Sequence, residues 1–186
     1  MRRPTPAFAA CLAAVTLMIA PIAATAQEIK LRMAHDQPVG GMFDEGHKEF
    51  KKLVEERSGG RIKVDVFPAA QLGSEVAMLE GVRLGTIDLV SSSAGNAATV
   101  VPELGIFSVA YLFKDLAHIE KTINDPKFAT QVDALIASKN LGLKRVGFYS
   151  AGVRNVYSRK GSVNSPADLK GVKIRVQNNP VEVQVW

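Results

Sequence analysis

The sequence predicts an α/β fold in which a mainly parallel sheet is covered by helices on both faces. Two observations lead to this prediction. Residues 29–33 and 62–67 alternate apolar and polar side chains, as half-buried strands do. Each of these segments is followed by apolar residues at helical spacing, and the repeated order of strand, helix and strand is typical of parallel sheets with helical crossovers.

The first predicted helix lies between these two strands. It ends at residues 58–60, which read Ser-Gly-Gly, because glycine readily adopts the backbone conformation that ends a helix. Its apolar face consists of Phe43, Phe50, Leu53 and Val54.

A second helix and a third strand follow residues 62–67. Ser74 is a suitable N-cap for the helix, and Gly85 is a suitable stop. The apolar residues between them are Met78, Leu79 and Val82. Residues 87–91 are short and mainly apolar, which predicts a third strand of the same sheet.

Two more helices are predicted from their N-terminal signals. Asp115 opens the first, and Asp125 followed by Pro126 opens the second, because proline is favoured at the first helical position after an N-cap. The second of these helices runs to about Lys139.

The last part of the sequence reads as strands and one helical turn. Residues 141–149, 153–158 and 172–176 read as strands. Between the last two, residues 165–168, which read Ser-Pro-Ala-Asp, predict a capped single helical turn that ends at Gly171.

Residues 1–26 have the features of a secretory signal. Arg2 and Arg3 precede an apolar run over residues 7–24, and the small residues of Ala-Thr-Ala at 24–26 precede Gln27. A membrane anchor is the alternative, but Pro21 interrupts the run, so we expect cleavage after Ala26. The mature protein is then expected to be periplasmic and not embedded in the membrane.

Cysteine content agrees with this compartment. Cys11 is the only cysteine, and it lies within the signal, so the mature chain can form no disulfide. An exported chain without disulfides must be held by its core alone. This favours a bacterial periplasmic domain over a small disulfide-stapled secreted protein.

Charge and hydropathy exclude two other classes. The formal net charge is +5, of which Arg2 and Arg3 leave with the signal, and no cluster of basic residues interleaved with aromatic residues is present. A nucleic-acid partner is therefore disfavoured, whereas a small anionic ligand fits the mild positive excess. No stretch after the signal reaches the roughly 18 apolar residues of a membrane span.

Arg175 is the best indication of a ligand. It lies near the end of the strand predicted at 172–176, where an apolar residue would be expected. In an open α/β sheet, ligands bind beyond the carboxyl ends of the strands. Because the planar guanidinium group matches a carboxylate with two parallel hydrogen bonds, Arg175 is a candidate carboxylate clamp.

Several spaced motifs occur in one order along the chain. They are Q-L-G-S-E at 71–75 followed by Met78-Leu79, G-T-I-D-L at 85–89, P-E-L at 102–104, and A-D-L-K-G-V-K-I-R-V at 167–176. Together they resemble the extracytoplasmic solute-binding proteins of tripartite ATP-independent periplasmic (TRAP) transporters, of the dicarboxylate-binding (DctP) type. The resemblance runs from about Ile29 to the last residue.

The resemblance implies a fold like that of periplasmic binding proteins, with two lobes that close around an organic acid. Such a receptor hands its ligand to a membrane permease driven by an ion gradient. Residues 27–149 would then form the first lobe, and residues 150–186 the hinge crossing and an incomplete second lobe. Because members of the family continue beyond this point, the resemblance implies a C-terminally truncated chain, and we expect these 186 residues alone to bind organic acids weakly or not at all.

The resemblance also implies a set of ligand-binding residues. Arg175 would pair with the substrate carboxylate, and Arg154 would line the same cleft. The alternatives are that Arg175 is a surface residue like Lys173, which shares its face, and that Arg154 only braces a loop.

Three polar residues follow the predicted strands and are further candidates. His35 follows the first strand, at the mouth where the family binds ligand, although it could instead satisfy loop backbone groups. Ser93 and Asn96 follow the third strand and could donate hydrogen bonds to a carboxylate or hydroxyl, or simply form a turn. Glu75 lies in the first turn of a helix, where we expect a capping role.

No catalytic, metal or cofactor motif is present. His47 lies on the apolar stripe of the first helix, which predicts packing, and the nearby His35, Asp36 and Asp44 lack the spacing of a metal site. The sequence has no G-x-S-x-G, P-loop or dinucleotide fingerprint. We therefore expect no metal, no cofactor and no enzymatic activity.

Three functions are compatible with these features of the sequence. The favoured one is a receptor that binds a small organic acid and delivers it to a TRAP permease. An exported enzyme that acts on such an acid, with His35 as general base and Arg175 holding the substrate, is the alternative. A ligand-sensing module of a membrane sensor would share the fold and differ in its partner.

Overall fold

The computed structural model describes residues 28–153, 155–159, 161–177 and 179–185. The strands are β1 (Ile29–Ala34), β2 (Ile62–Phe67) and β3 (Leu89–Val90). The α-helices are α1 (Met42–Arg57), α2 (Glu75–Arg83), α3 (Ala94–Ala97), α4 (Leu116–Ile123), α5 (Pro126–Ser138) and α6 (Pro180–Val185), and two 3₁₀ helices span Pro102–Ser108 and Pro166–Leu169.

The three strands form a parallel sheet in the order β2-β1-β3. β1 pairs with β2 from Ile29 opposite Ile62 to Ala34 opposite Phe67, and Ala34 also pairs with Val90 of β3. This confirms the predicted α/β fold with a parallel sheet, although the third strand is shorter than the predicted segment. From β1 the chain passes to β2 on one side of it and then to β3 on the other side. This reversal of direction makes the carboxyl ends of β1 and β3 a topological switch point.

Two apolar clusters hold these elements together. One surrounds Ala34, Met78 and Ile87 between the sheet and α2, and the other joins the 3₁₀ helix at Pro102–Ser108 to α5 through Val101, Leu104 and Val132. The first cluster includes Ala34 and Val90 at the ends of β1 and β3, and the second reaches α3 through Ala97, so the loops at the switch point rest on a well-packed support.

The predicted N-caps are confirmed at atomic level. Ser74 Oγ accepts from the backbone N–H of Ala77 at 3.3 Å, and Asp115 Oδ1 accepts from that of His118 at 2.8 Å. Asp125 caps α5 in the same way, and Ser165 with Asp168 forms a capping box at the predicted single turn. Each such cap typically stabilises its helix by about 1 kcal/mol.

The strands predicted at 141–149, 153–158 and 172–176 are wrong for the residues that the structure describes, where all three segments are irregular. The physical reason is that alternation specifies a face, whereas a strand also needs a neighbouring backbone with which to exchange hydrogen bonds. Alternation itself persists at 172–176. Val172, Ile174 and Val176 are half-buried, whereas Lys173 and Arg175 are exposed.

Within the same described ranges, no helix is both long and apolar enough to cross a membrane.

Candidate functional site

The candidate site lies at the switch point, where the loops that follow β1 and β3 meet. His35 directly follows β1, and Ser91 directly follows β3. The backbone N–H of Ser91 donates to the carbonyl of Ala34 at 3.0 Å, which holds the two loops side by side. Polar side chains on both loops therefore share one edge of the sheet, as the strand-end argument predicts.

Glu75 organises the loop that follows β3. Its Oε2 atom accepts from Ser93 Oγ at 2.8 Å, from the Ser93 backbone N–H at 3.2 Å and from Ser92 Oγ at 3.3 Å. It also accepts from the side-chain amide of Asn96. Ser93 Oγ in turn caps α3 by accepting from the Asn96 backbone N–H at 3.3 Å.

The sequence predicts that Ser93 and Asn96 donate hydrogen bonds to a ligand, but in the structure they donate to Glu75. Their donors point to Glu75, whereas Asn96 Oδ1 has no hydrogen-bond partner within the described ranges. The wider role of Glu75 was missed because its partners lie 17 to 21 residues away along the chain. A Ser-rich loop after a strand was the one local signal that could have pointed to it.

His35 lies behind the loop surface and has no solvent exposure. Its Nε2 atom is 3.2 Å from Asp44 Oδ1, and its Nδ1 atom has no hydrogen-bond partner among the residues described. The side chain that was expected at the mouth of the cleft is thus enclosed between β1 and α1.

Asp44 is fully buried and strongly held as an anion. It accepts from Lys48 Nζ and from the backbone N–H of Gly40, both at 2.8 Å. The bond from the Lys48 ammonium group has the largest effect on the Asp44 carboxyl, and the bond from Gly40 has the next largest. They lower the pKa of Asp44 from about 3.8 to about 2.

His47 completes this cluster. Its ring stacks on His35 with centroids 4.3 Å apart, and its exposed fraction is 6%, which confirms the predicted packing role. Burial lowers the pKa of the His47 imidazole, and the adjacent His35 adds to the effect. Tyr149 meets the edge of His47 with a centroid distance of 6.4 Å and hydrogen-bonds Ser91, which connects the cluster to the loop after β3.

The structure brings His35, Asp44 and His47 together, yet in the ranges that it describes no three metal-binding side chains form a suitable cluster. Two of the His35 and Asp44 polar atoms already bond to each other, and the other Asp44 oxygen bonds Lys48. The pair therefore offers no open coordination position for a metal ion.

Arg175 is exposed, and its guanidinium group has no hydrogen bond or ion pair with any described residue. Two residues later, Gln177 Nε2 donates to Ser93 Oγ at 2.8 Å. The segment that carries Arg175 is therefore tied to the loop after β3. Arg154, the second predicted arginine, lies outside the described residues, as does the signal at 1–26.

Comparison with known proteins gives one family. The bacterial extracellular solute-binding proteins of family 7 match residues 33–186. The 2,3-diketo-L-gulonate-binding periplasmic protein YiaO of Escherichia coli K12 is 40% identical over 139 residues, which cover 75% of this chain and 42% of that protein.

Solved structures agree. A TRAP periplasmic solute-binding protein of Xanthobacter autotrophicus Py2 with bound β-D-galacturonate has a TM-score of 0.76 and 32% identity, covering 83% of this chain and 50% of that one. The counterpart from Anaerococcus prevotii, with bound D-glucuronate, has a TM-score of 0.79 and 29% identity, covering 84% and 50%. This chain spans about half the length, or less, of these relatives.

Proposed function

The chain belongs to the bacterial extracellular solute-binding proteins of family 7, and from this premise we propose that it binds a small organic acid as the receptor of a TRAP transporter. The receptor delivers the acid to a membrane permease driven by an ion gradient. The observation that carries the proposal is the exposed guanidinium group of Arg175, which pairs with none of the described residues and lies on a segment bonded through Gln177 to Ser93. An unpaired arginine beside a polar strand-end loop suits a carboxylate ligand.

The proposed ligand class is a sugar acid. The relatives named above bind 2,3-diketo-L-gulonate, β-D-galacturonate and D-glucuronate, each with a carboxylate and several hydroxyl groups. Arg175 and Arg154 would clamp the carboxylate, and Asn96 Oδ1 would accept from a hydroxyl. Ser93 and His35 complete the proposed set, Ser93 by holding the loop and His35 by supporting it from behind.

We also propose the division of the chain. Residues 27–149 belong to the first lobe, and residues 150–186 cross the hinge and begin the second. Residues 1–26 direct export of the protein and are removed by cleavage before Gln27. Intact mass spectrometry of periplasmic protein tests this last point, and a mature chain that still begins at Met1 would refute it.

An enzyme with His35 as general base is less well supported. A general base must approach the proton that it removes to hydrogen-bond distance, directly or through one water. The His35 ring has no exposed surface and is covered by His47. Such an enclosed ring suits a supporting role.

Ligand titration tests the proposal. The full-length protein is titrated with D-glucuronate, D-galacturonate, 2,3-diketo-L-gulonate and succinate, and binding is measured by calorimetry and by thermal shift. A ligand at a hundredfold excess over Kd stabilises the folded state by about 2.7 kcal/mol. We expect one or more sugar acids to bind stoichiometrically and to be recovered unchanged by NMR. Turnover of the ligand would favour the enzyme, and no binding by any organic acid would refute the receptor.

A further inference from the structure

The segment that follows Arg175 docks onto the first lobe through two side-chain amides. Gln177 Nε2 donates to Ser93 Oγ at 2.8 Å, and Asn179 Nδ2 donates to Ser108 Oγ at 2.9 Å. These partners are 84 and 71 residues apart in sequence. Asn179 is only 2% exposed, so its contact is part of the protein interior.

A local hydrogen-bond pair holds the docked backbone in place. Asn179 Oδ1 accepts from the Glu182 backbone N–H at 3.0 Å, and Glu182 Oε2 accepts from the Gln177 backbone N–H at 2.8 Å. The bond from Glu182 to Asn179 is the first half of a capping box at the start of α6, whereas the Glu182 side chain reaches back to Gln177 instead of to the Asn179 backbone. Both amide side chains are thereby directed at the same surface of the first lobe.

Gly95 in α3 provides the space for this contact. A Cβ atom at Gly95 would lie 2.9 Å from Asn179 Nδ2 and 3.0 Å from Ser108 Oγ, and closer still to Gln177 Oε1. All three are terminal atoms of side chains rather than backbone atoms. A methyl group at this position would therefore push the two amides away from their serine partners and leave the fold of α3 intact.

We propose that Gly95 and Gln177 are positioning residues for ligand binding, because they set where Arg175 stands relative to the loop after β3. The step to binding rests on the proposed function, in which Arg175 holds the carboxylate. Ser93 links the two parts directly, because its Oγ accepts from Gln177 and donates to Glu75. The segment that carries Arg175 and helix α3, which carries Asn96, thus share one hydrogen-bonded network.

The docking itself is tested without ligand. In the full-length protein, Gly95→Ala and, separately, Gln177→Ala should speed hydrogen exchange of the backbone amides at positions 177 and 182 about tenfold or more, because both donate bonds within the docked segment. The matched controls are Gly46→Ala, at an exposed helical glycine of α1 with nothing within 4 Å of its Cβ position, and Gln131→Ala, at an exposed residue of α5. Unchanged exchange in both test variants would overturn the docking, whatever the protein binds.

The positioning role is tested by comparing affinity with stability. D-Glucuronate should bind Gly95→Ala and Gln177→Ala at least fivefold more weakly, whereas the melting temperature of Gly95→Ala should stay close to that of the unaltered protein, since alanine favours helix more than glycine does. If Gly95 had only a structural role, the substitution would lower the melting temperature before it weakened the binding of D-glucuronate. Faster exchange with an unchanged Kd would refute positioning, and absence of binding by the unaltered protein would instead refute the proposed function.

Discussion

The imidazole rings of His35 and His47 are stacked, with centroids 4.3 Å apart and an angle of 12° between their planes. Both rings are buried, and Asp44 contacts only the first of them by a hydrogen bond. The stack joins the end of β1 to α1 directly behind the candidate site, so protonation of His47 bears on the stability of the switch point.

The first prediction concerns pH between 7.5 and 5.5. Because the pKa of His47 is lowered in the folded state, the unfolded chain binds a proton more readily, and stability is lost as pH falls through about 6.5. His47→Phe keeps a stacking ring without a titrating group and should reduce this loss. The loss of stability is measured as the change in the urea unfolding midpoint between the two pH values. A substitution of the exposed His118 is the control. An equal loss in His47→Phe would contradict the assignment.

The second prediction concerns Asp44 at lower pH. Its folded pKa of about 2 lies below the ordinary 3.8, so its stabilising contribution is present above pH 4 and disappears as pH falls from about 4 to about 2. Asp44→Asn should be less stable at pH 7 and should lose less stability between pH 4.5 and 2.5. Glu45→Gln, at the exposed neighbour that also pairs with Lys48, is the control. If both variants follow the unaltered protein, Asp44 does not have this role.

The third prediction concerns Glu75. Replacing it with Gln removes the charge from an oxygen that accepts four hydrogen bonds, which should lower the free energy of unfolding by about 1–3 kcal/mol. Glu80→Gln in the same helix should cost clearly less, because its pair with Arg83 is exposed and screened by solvent. Denaturant unfolding compares them, and equal losses would show that Glu75 is an ordinary surface carboxylate.

The fourth prediction concerns Arg175 as the carboxylate clamp. Affinity for D-glucuronate should fall in the order Arg, Lys, Ala, because lysine keeps the charge but loses the planar fork. A hydrogen bond to a charged group contributes about 1.5–3 kcal/mol, so the alanine variant should bind at least about tenfold more weakly. Lys173→Ala, on the same exposed face, should bind normally. Calorimetry that gives equal affinity for all the variants would place Arg175 outside the site.

Much of the sheet and of the helices that pack beside it could be predicted from local pattern. β1, β2, α1 and α2 occur where alternation and helical spacing indicate them, and the predicted caps at Ser74, Asp115 and Asp125 all form. These features depend on a few adjacent residues, so the sequence contains the information directly.

Site residues were harder to predict because their partners are distant in sequence. His35 was expected at an open mouth, but α1 covers it, and Glu75 was expected only to cap a helix. Neither outcome follows from the residues nearby. Arg154 stays a prediction, as do the ligand roles of Arg175, Ser93 and Asn96.

The sequence by itself determined the fold class, the first helices and strands of the sheet, and the family, because periodicity, capping and spaced motifs are local or linear signals. Only the tertiary structure decided which segments pair as strands and which polar groups meet. Residues 172–176 alternate correctly yet remain irregular, and Gln177 meets Ser93 across 84 residues. Both depend on the partner that the folded chain supplies, since a backbone or side-chain hydrogen bond requires two groups and a local pattern specifies only one of them.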